Sequence, residues 1–200
     1  MASVPVTPLL PPDRRPIVIS GPSGVGKGTL FRRLFESHPD SFALSVSHTT
    51  RPPRAGENDG HDYYFVSHDA FDKLAAAAGF VEHAVFGGNR YGTSKQTIAD
   101  QSAKGRVVVL DIEMEGVKQI KKSGIDARFV FIKPPSFEEL ERRLRGRGTE
   151  DEASVARRLD RARDELAYAE TPGAHDIIVV NDDLDAAYRE FEAFVYKPRP

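Results

Sequence analysis

Gly21-Pro22-Ser23-Gly24-Val25-Gly26-Lys27-Gly28-Thr29 follows the β-rich run Pro16-Ile17-Val18-Ile19-Ser20 and leads into apolar residues at Leu30, Phe31, Leu34 and Phe35. That apolar spacing predicts a helix over 28–36, ended near His38-Pro39. Strand, glycine loop and helix in this order make the pattern a phosphate-binding loop rather than a chance glycine turn. Glycines let the backbone wrap tightly and point several N–H groups inward. The helix N-terminus adds partial positive charge. Lys27 then reaches nucleotide phosphates as a mobile cation. The strict pattern has Ser or Thr directly after the lysine, where the hydroxyl helps hold Mg²⁺. Here Gly28 occupies that place and Thr29 follows. The departure tells against direct metal ligation by the loop and leaves Thr29 to act through water.

Outward from the loop, Val107-Val108-Val109-Leu110 is an unbroken apolar run within 105–112. Such a run suits a parallel strand buried on both faces. Residues 128–132 and 177–180 read the same way. Shorter strands are expected at 42–46, 63–66 and 80–86, with a turn at Gly87-Gly88-Asn89. Helices are expected at 69–78, 97–104, 116–122, 136–145, 153–169 and 183–196. Ser136 followed by Glu139 is a capping-box start. Alternating strands and helices indicate an α/β fold with a parallel sheet. The turn-dense stretch 47–91 forms a separate small lobe in this reading.

The chain has 200 residues, 40% hydrophobic and 29% charged, which fits one domain with a real core. A formal net charge of −2 argues against a general nucleic-acid binder. The chain has no cysteine, so disulfides and Cys-ligated metals are excluded, and a reducing interior suits it. No apolar run reaches transmembrane length, and the Pro-rich start does not look like a secretory signal. Residues 1–15 read as a flexible tail. A cytoplasmic monomer without nucleic-acid or membrane partners is the expectation.

Ser47-His48-Thr49-Thr50-Arg51-Pro52-Pro53-Arg54-Ala55-Gly56-Glu57 sets two arginines three residues apart in a Pro-stiffened loop. Arginine suits phosphate because its planar fork gives bidentate, charge-assisted hydrogen bonds. Alone, such a loop reads better as a solvated basic segment, which is commoner than a ligand clamp. Asp111 ends an apolar strand, and functional groups gather at strand carboxyl ends in open α/β sheets. There it can orient Mg²⁺ through water or hold an arginine.

Gly-Pro-Ser-Gly-x-Gly-Lys, Ser-x-Thr-Thr-Arg-x-Pro-Arg-x-Gly-Glu, Asp-Tyr-x-Phe-Val, Tyr-Gly-Thr and Leu-Asp-Ile occur in that order. Gly-Arg-Gly-Thr-Glu, Glu-Leu-Ala-Tyr-Ala-Glu and Val-Asn-Asp-Asp-Leu follow. By these motifs the chain resembles guanylate kinases from about Arg15 to its C-terminal helix, nearest the eukaryotic-type soluble enzymes. The resemblance implies a P-loop nucleoside-monophosphate kinase fold. Its parallel-sheet core would take 16–46, 92–135 and 170–200, its GMP-binding lobe about 47–91 and its helical lid about 136–169. It implies transfer of the γ-phosphoryl of Mg-ATP to GMP, and to dGMP with it.

The resemblance also implies site roles. Arg51, Arg54, Tyr63 and Tyr91 hold the GMP phosphate, with Glu57 beside them. Ser47, Glu82 and Thr93 read the guanine. Glu82 can accept from N1–H and the 2-amino group, two donors that adenine lacks. Asp111 and Glu113 complete the acceptor side, Glu113 standing where the family usually has a second Asp. On the ATP side it implies Gly21, Pro22, Ser23, Gly24, Val25, Gly26, Lys27, Gly28, Thr29 and Asn181, with Arg147 and Arg158 swinging on as lid arginines. Lys27, Arg51, Asp111, Arg147 and Arg158 carry the catalytic roles. Other arginines of 142–158 read as surface ion pairs. A non-catalytic interaction domain, a kinase for another nucleoside monophosphate and a nucleotide-hydrolysing switch are the alternatives. Adenylate kinases share Gly-Lys-Gly-Thr, but an intact loop with an arginine pair and Glu82 favours the guanylate kinase.

Overall fold

Strand β1, Ile17–Ser20, is buried at all four residues. It belongs to a computed structural model that describes residues 10–146 and 152–199. The glycine loop follows β1 and delivers helix α1, Lys27–Ser37. Strands β2, Phe42–Leu44, and β3, His48–Thr49, come next, then β4, Tyr64–Phe65, and helix α2, His68–Ala76. A hairpin of β5, Phe80–Phe86, and β6, Asn89–Ser94, leads to α3, Lys95–Ala103. The chain continues as β7, Val107–Asp111, α4, Met114–Ser123, and β8, Arg128–Lys133. Helices α5, Phe137–Arg145, and α6, Glu152–Ala169, precede β9, Ile177–Val180, and α7, Leu184–Val195.

Among the described residues, five strands form a wholly parallel sheet ordered β2-β7-β1-β8-β9. Its apolar runs have a direct cause, because each face is covered. Ile17, Ile19, Val107, Val109, Val130 and Ile132 pack on one face with Leu30, Leu34, Phe191 and Val195. Val18, Val108, Leu110 and Phe129 pack on the other with Val117 and Ile120. Each such side chain, fully buried, contributes roughly 1.5–3 kcal/mol. Strand order reverses about β1, with β2 and β7 on one side and β8 and β9 on the other. The crevice at that reversal, beyond the strands' carboxyl ends, is where open α/β sheets bind ligands.

A second sheet, ordered β4-β3-β6-β5, joins antiparallel and parallel pairs. The expected turn is present at Gly87 and Gly88, whereas the lobe end expected at about 91 falls inside β6, Asn89–Ser94. Asn89-Arg90-Tyr91-Gly92-Thr93-Ser94 has no apolar run to announce a strand. Its pairing with β5 is set by Gly87 and Gly88, whose φ of 57° and 78° a tight hairpin turn requires. Ser94 then caps α3 by accepting from the Thr97 N–H at 3.1 Å, two residues before the expected start.

One further correction concerns the edge of the domain. Helices α5 and α6, within the expected lid range, pack on the main sheet. Leu140, Leu144, Val155, Leu159 and Ala162 enter the same core as β1 and β8. The tail drawn over 1–15 ends too late, since Asp13 is 3% exposed. It pairs with Arg15 at 2.6 Å. Buried Arg128 donates to the Asp13 carbonyl at 2.9 Å and to the Val195 carbonyl at 2.7 Å. One guanidinium thus ties the entering chain to the last turn of α7 and satisfies a helix-end carbonyl. Arg128→Met is expected to lower stability by about 3 kcal/mol, because Asp13 and the Val195 carbonyl lose a buried partner. Urea unfolding checks this; a change below about 0.5 kcal/mol, the level of a surface substitution, would refute it.

Candidate active site

The glycine loop turns where side chains cannot go. Gly21, Gly24 and Gly26 have φ of 141°, 87° and 101°. A Cβ at Gly21 would lie 2.3 Å from the Ile132 carbonyl, and one at Gly26 would lie 2.5 Å from Asn181 Nδ2. Gly28 differs, since a Cβ there would meet only the Phe31 ring, with Cζ 3.8 Å away. Position 28 therefore has room for a hydroxyl that the sequence does not supply. Lys27 lies inside the loop and donates to the Gly21 carbonyl at 2.6 Å. Its Nζ is 3.8 Å from Asp111 Oδ1.

Asn181, expected on the ATP side, lies against the glycine loop. It is 6% exposed and donates from Nδ2 to the Val25 carbonyl at 2.8 Å. Its own carbonyl accepts from Arg143 at 2.9 Å. The end of β9 thus props the glycine loop from behind.

Two cavities open at the carboxyl end of the sheet. One, about 350 Å³, is lined by Arg51, Arg54, Tyr63, Tyr91 and Glu82 among others. The other, about 300 Å³, is lined by Gly21, Ser23, Lys27, Arg158, Arg161 and Glu165. Asp111, Ile112 and Glu113 line both. They follow β7, so the strand that runs beside β1 delivers the floor on which the cavities meet.

In the arginine-lined cavity, Glu57 grips Arg51 with both oxygens, at 2.9 and 2.8 Å. It also accepts from the Arg54 backbone N–H at 2.7 Å. These bonds hold the Glu57 carboxyl below the usual range. Glu57 therefore shapes the arginine loop, and its negative charge is spent there rather than turned on a bound anion. Arg51 lies 5.3 Å from the centre of the Tyr63 ring. Tyr63 and Tyr91 meet edge to face at 6.1 Å. Arg54 is exposed at the cavity edge.

The opposite end is built on Glu82, 8% exposed, whose Oε1 accepts from the Thr93 N–H at 2.9 Å. Burial pushes the Glu82 carboxyl up. Thr93 is 1% exposed and sits behind the wall, with its hydroxyl 3.5 Å from Ser47 Oγ. Ser47 itself lines the cavity. A Cβ at Gly116 would lie 3.1 Å from Glu82 Oε2. Gly116 thus keeps open the space facing that carboxylate; its place in the first turn after Glu113 was the only sequence signal.

Asp111 opens 37% of its side chain to the shared space. Desolvation pushes its carboxyl up, and Lys27 opposes this. From α6, Arg158 donates to Ser23 Oγ in the loop. Arg161 and buried Glu165 stand on the same helix face, an i+3 and i+7 spacing from Arg158 that the sequence displays. Arg147 lies outside the described residues. Arg142 and Arg143 pair with Glu139, and Arg145 pairs with Glu141 and Glu152. Ser136 caps α5 at the Glu139 N–H, 3.1 Å away.

A buried acceptor carboxylate, an arginine-aromatic clamp and a phosphate loop therefore face one floor. Comparison with known proteins shows the family. The guanylate kinase family model matches residues 13–197. A guanylate kinase of Schizosaccharomyces pombe is 55% identical over 179 residues, covering 90% of this chain and 89% of the relative. The crystal structure of guanylate kinase from Anaplasma phagocytophilum superposes with a TM-score of 0.68 at 32% identity, covering 94% of this chain and 87% of that one. The SH3-kinase fragment of tight junction protein 3 superposes with a TM-score of 0.51 at 14% identity, over 91% of this chain and 56% of that one, which is a likeness of fold alone. With a family model spanning nearly its whole length, the chain belongs to the guanylate kinase family.

Proposed function

We propose that the chain transfers the γ-phosphoryl group of Mg-ATP to GMP, giving ADP and GDP, and that the two cavities are its two nucleotide sites. The observation that carries this reading is their shared floor, Asp111 to Glu113. An acceptor phosphate held by Arg51, Arg54, Tyr63 and Tyr91 would face a donor phosphate held by the loop and Lys27. Phosphoryl transfer needs alignment and charge neutralisation more than covalent help. The attacking group is a phosphate oxygen already ionised at neutral pH, so no protein nucleophile is required.

Guanine selectivity falls to Glu82. Its carboxylate is buried, already takes one N–H from Thr93, and has lone pairs left for N1–H and the 2-amino group. Adenine would leave those lone pairs unpaired in a desolvated wall, a cost of about 1–3 kcal/mol or more. Ser47 lies at the same end of the cavity.

The donor side fits Mg²⁺, a hard cation that keeps several waters and takes oxygen ligands. Asp111 presents its carboxylate in the loop cavity, and Thr29 offers a hydroxyl in the first turn of α1. With Gly28 bare, these two would hold the ion through water. When bound, Mg²⁺ would neutralise charge on the donor phosphates. Arg158, at the loop from α6, would add its cation to theirs.

Glu82→Ala is expected to lower the GMP-to-AMP ratio of kcat/KM by on the order of 100-fold. Parallel assays with both acceptors decide it; the wild-type ratio in the variant would remove Glu82 from the base site. Gly116→Ala places a methyl against Glu82 Oε2 and is expected to weaken GMP binding about tenfold, or about 1.4 kcal/mol. Calorimetric titration with GMP, and separately with an ATP analogue, tests this. Equal losses for both ligands would point to a general disturbance of the fold instead.

A further inference from the structure

Helix α6 turns one face to the loop cavity, and that face carries more than Arg158. One turn on, Arg161 donates from Nη2 to Glu113 Oε2 across the cavity floor. Its Nε lies 3.7 Å from Glu165 Oε1, a side chain only 7% exposed. Arg161 and Glu113 are themselves 39% and 48% exposed. The guanidinium thus has a neighbour on its own helix, Glu165, and a partner on the wetter, opposite wall, Glu113. Glu113 is the telling partner, because it lines the acceptor cavity as well as the loop cavity.

We propose that Arg161 is a positioning residue that couples the two nucleotide sites through Glu113. With the acceptor cavity empty, Glu113 holds the guanidinium. When the acceptor nucleotide engages Glu113, Arg161 turns about its Glu165 anchor and offers its N–H fork to the donor phosphates. This rests on the reading above that GMP binds against Glu113.

The chemistry favours the exchange. A part-exposed carboxylate pair is weak, whereas the donor polyphosphate presents several charged oxygens to the same planar fork. Among the described residues, the cations Lys27, Arg158 and Arg161 line the loop cavity with the acids Asp111, Glu113 and Glu165. Drawing Glu113 toward the acceptor therefore tips the loop cavity toward positive charge as the anionic donor arrives. Coupling of this kind is reciprocal, so each nucleotide tightens the other by the same factor.

The test is calorimetric titration of the whole chain with a non-hydrolysable ATP analogue, with and without saturating GMP. GMP is expected to tighten analogue binding about fivefold, the low end of measured couplings. Arg161→Ala abolishes that enhancement and Arg161→Lys keeps part of it. Glu113→Gln acts in the opposite sense: it tightens the analogue in the absence of GMP and leaves GMP nothing to add. A merely structural ion pair would weaken binding in both variants alike. The proposal is overturned by an enhancement that survives Arg161→Ala, or by looser analogue binding in Glu113→Gln. GMP titrated alone separates the two readings. A chain that does not bind GMP overturns the acceptor-site reading and the coupling with it. GMP binding that leaves the analogue Kd unchanged overturns the coupling alone.

Discussion

The close approach of the glycine loop to three neighbours sets the rest of the molecule. Gly21 passes the end of β8, Gly24 passes Leu144 of α5, and Gly26 passes Asn181 beyond β9. At each point a Cβ would fall at 2.8 Å or less from an existing atom. All three glycines also hold φ values that L side chains rarely adopt. The loop can wrap a phosphate only because nothing projects from it, and it stays wrapped because β8, α5 and Asn181 press on its back. The order of the parallel sheet follows from this need, since β8 and β9 must lie on the side of β1 where they support the loop. On the other side β7 runs alongside β1 and brings Asp111 within 3.8 Å of Lys27.

The acceptor side is built by a different rule. Its sheet is small and mixed, and its cavity residues come from polar strands and a Pro-stiffened loop. Order is supplied by charge-assisted bonds in place of a large core: Glu57 on Arg51, and the Thr93 N–H on Glu82. Both carboxylates are positioned before any ligand arrives, one to aim a cation and the other to present lone pairs. Such pre-organisation lowers the ordering cost at the moment of binding. In the proposed function it would also separate two tasks within one cavity, with phosphate affinity and base choice resting on different side chains.

The main sheet was legible because its strands are buried on both faces, which leaves Val107 to Leu110 and Phe129 to Ile132 as unbroken apolar runs. The glycine loop was legible from its place between a strand and a helix. β6 was not, because a strand of Asn, Arg, Tyr, Gly, Thr and Ser gains its pairing from a glycine hairpin and shows no hydrophobic period. Asn181 stood out in the chain, yet its place behind the loop depends on where β9 ends in space. Thr93 stands in the motif Tyr-Gly-Thr, but that its backbone N–H lies on Glu82 follows from the β5–β6 pairing and not from the chain. Arg161 shares a helical spacing with Arg158, but its partner Glu113 is 48 residues distant in sequence. What escaped the sequence was in each case a contact made by topology.

The central claim is that a phosphate loop and a guanine-reading cavity share one floor and so act as one enzyme. ADP formation from Mg-ATP, measured with GMP, AMP, CMP and UMP in turn, tests that claim most directly when paired with Lys27→Ala. The account predicts ADP with GMP, little with the other three, and on the order of 100-fold or greater loss in the variant, equivalent to about 2.7 kcal/mol of transition-state stabilisation. Silence with every acceptor, in a chain that still binds GMP, would contradict it and leave a nucleotide-binding module in its place.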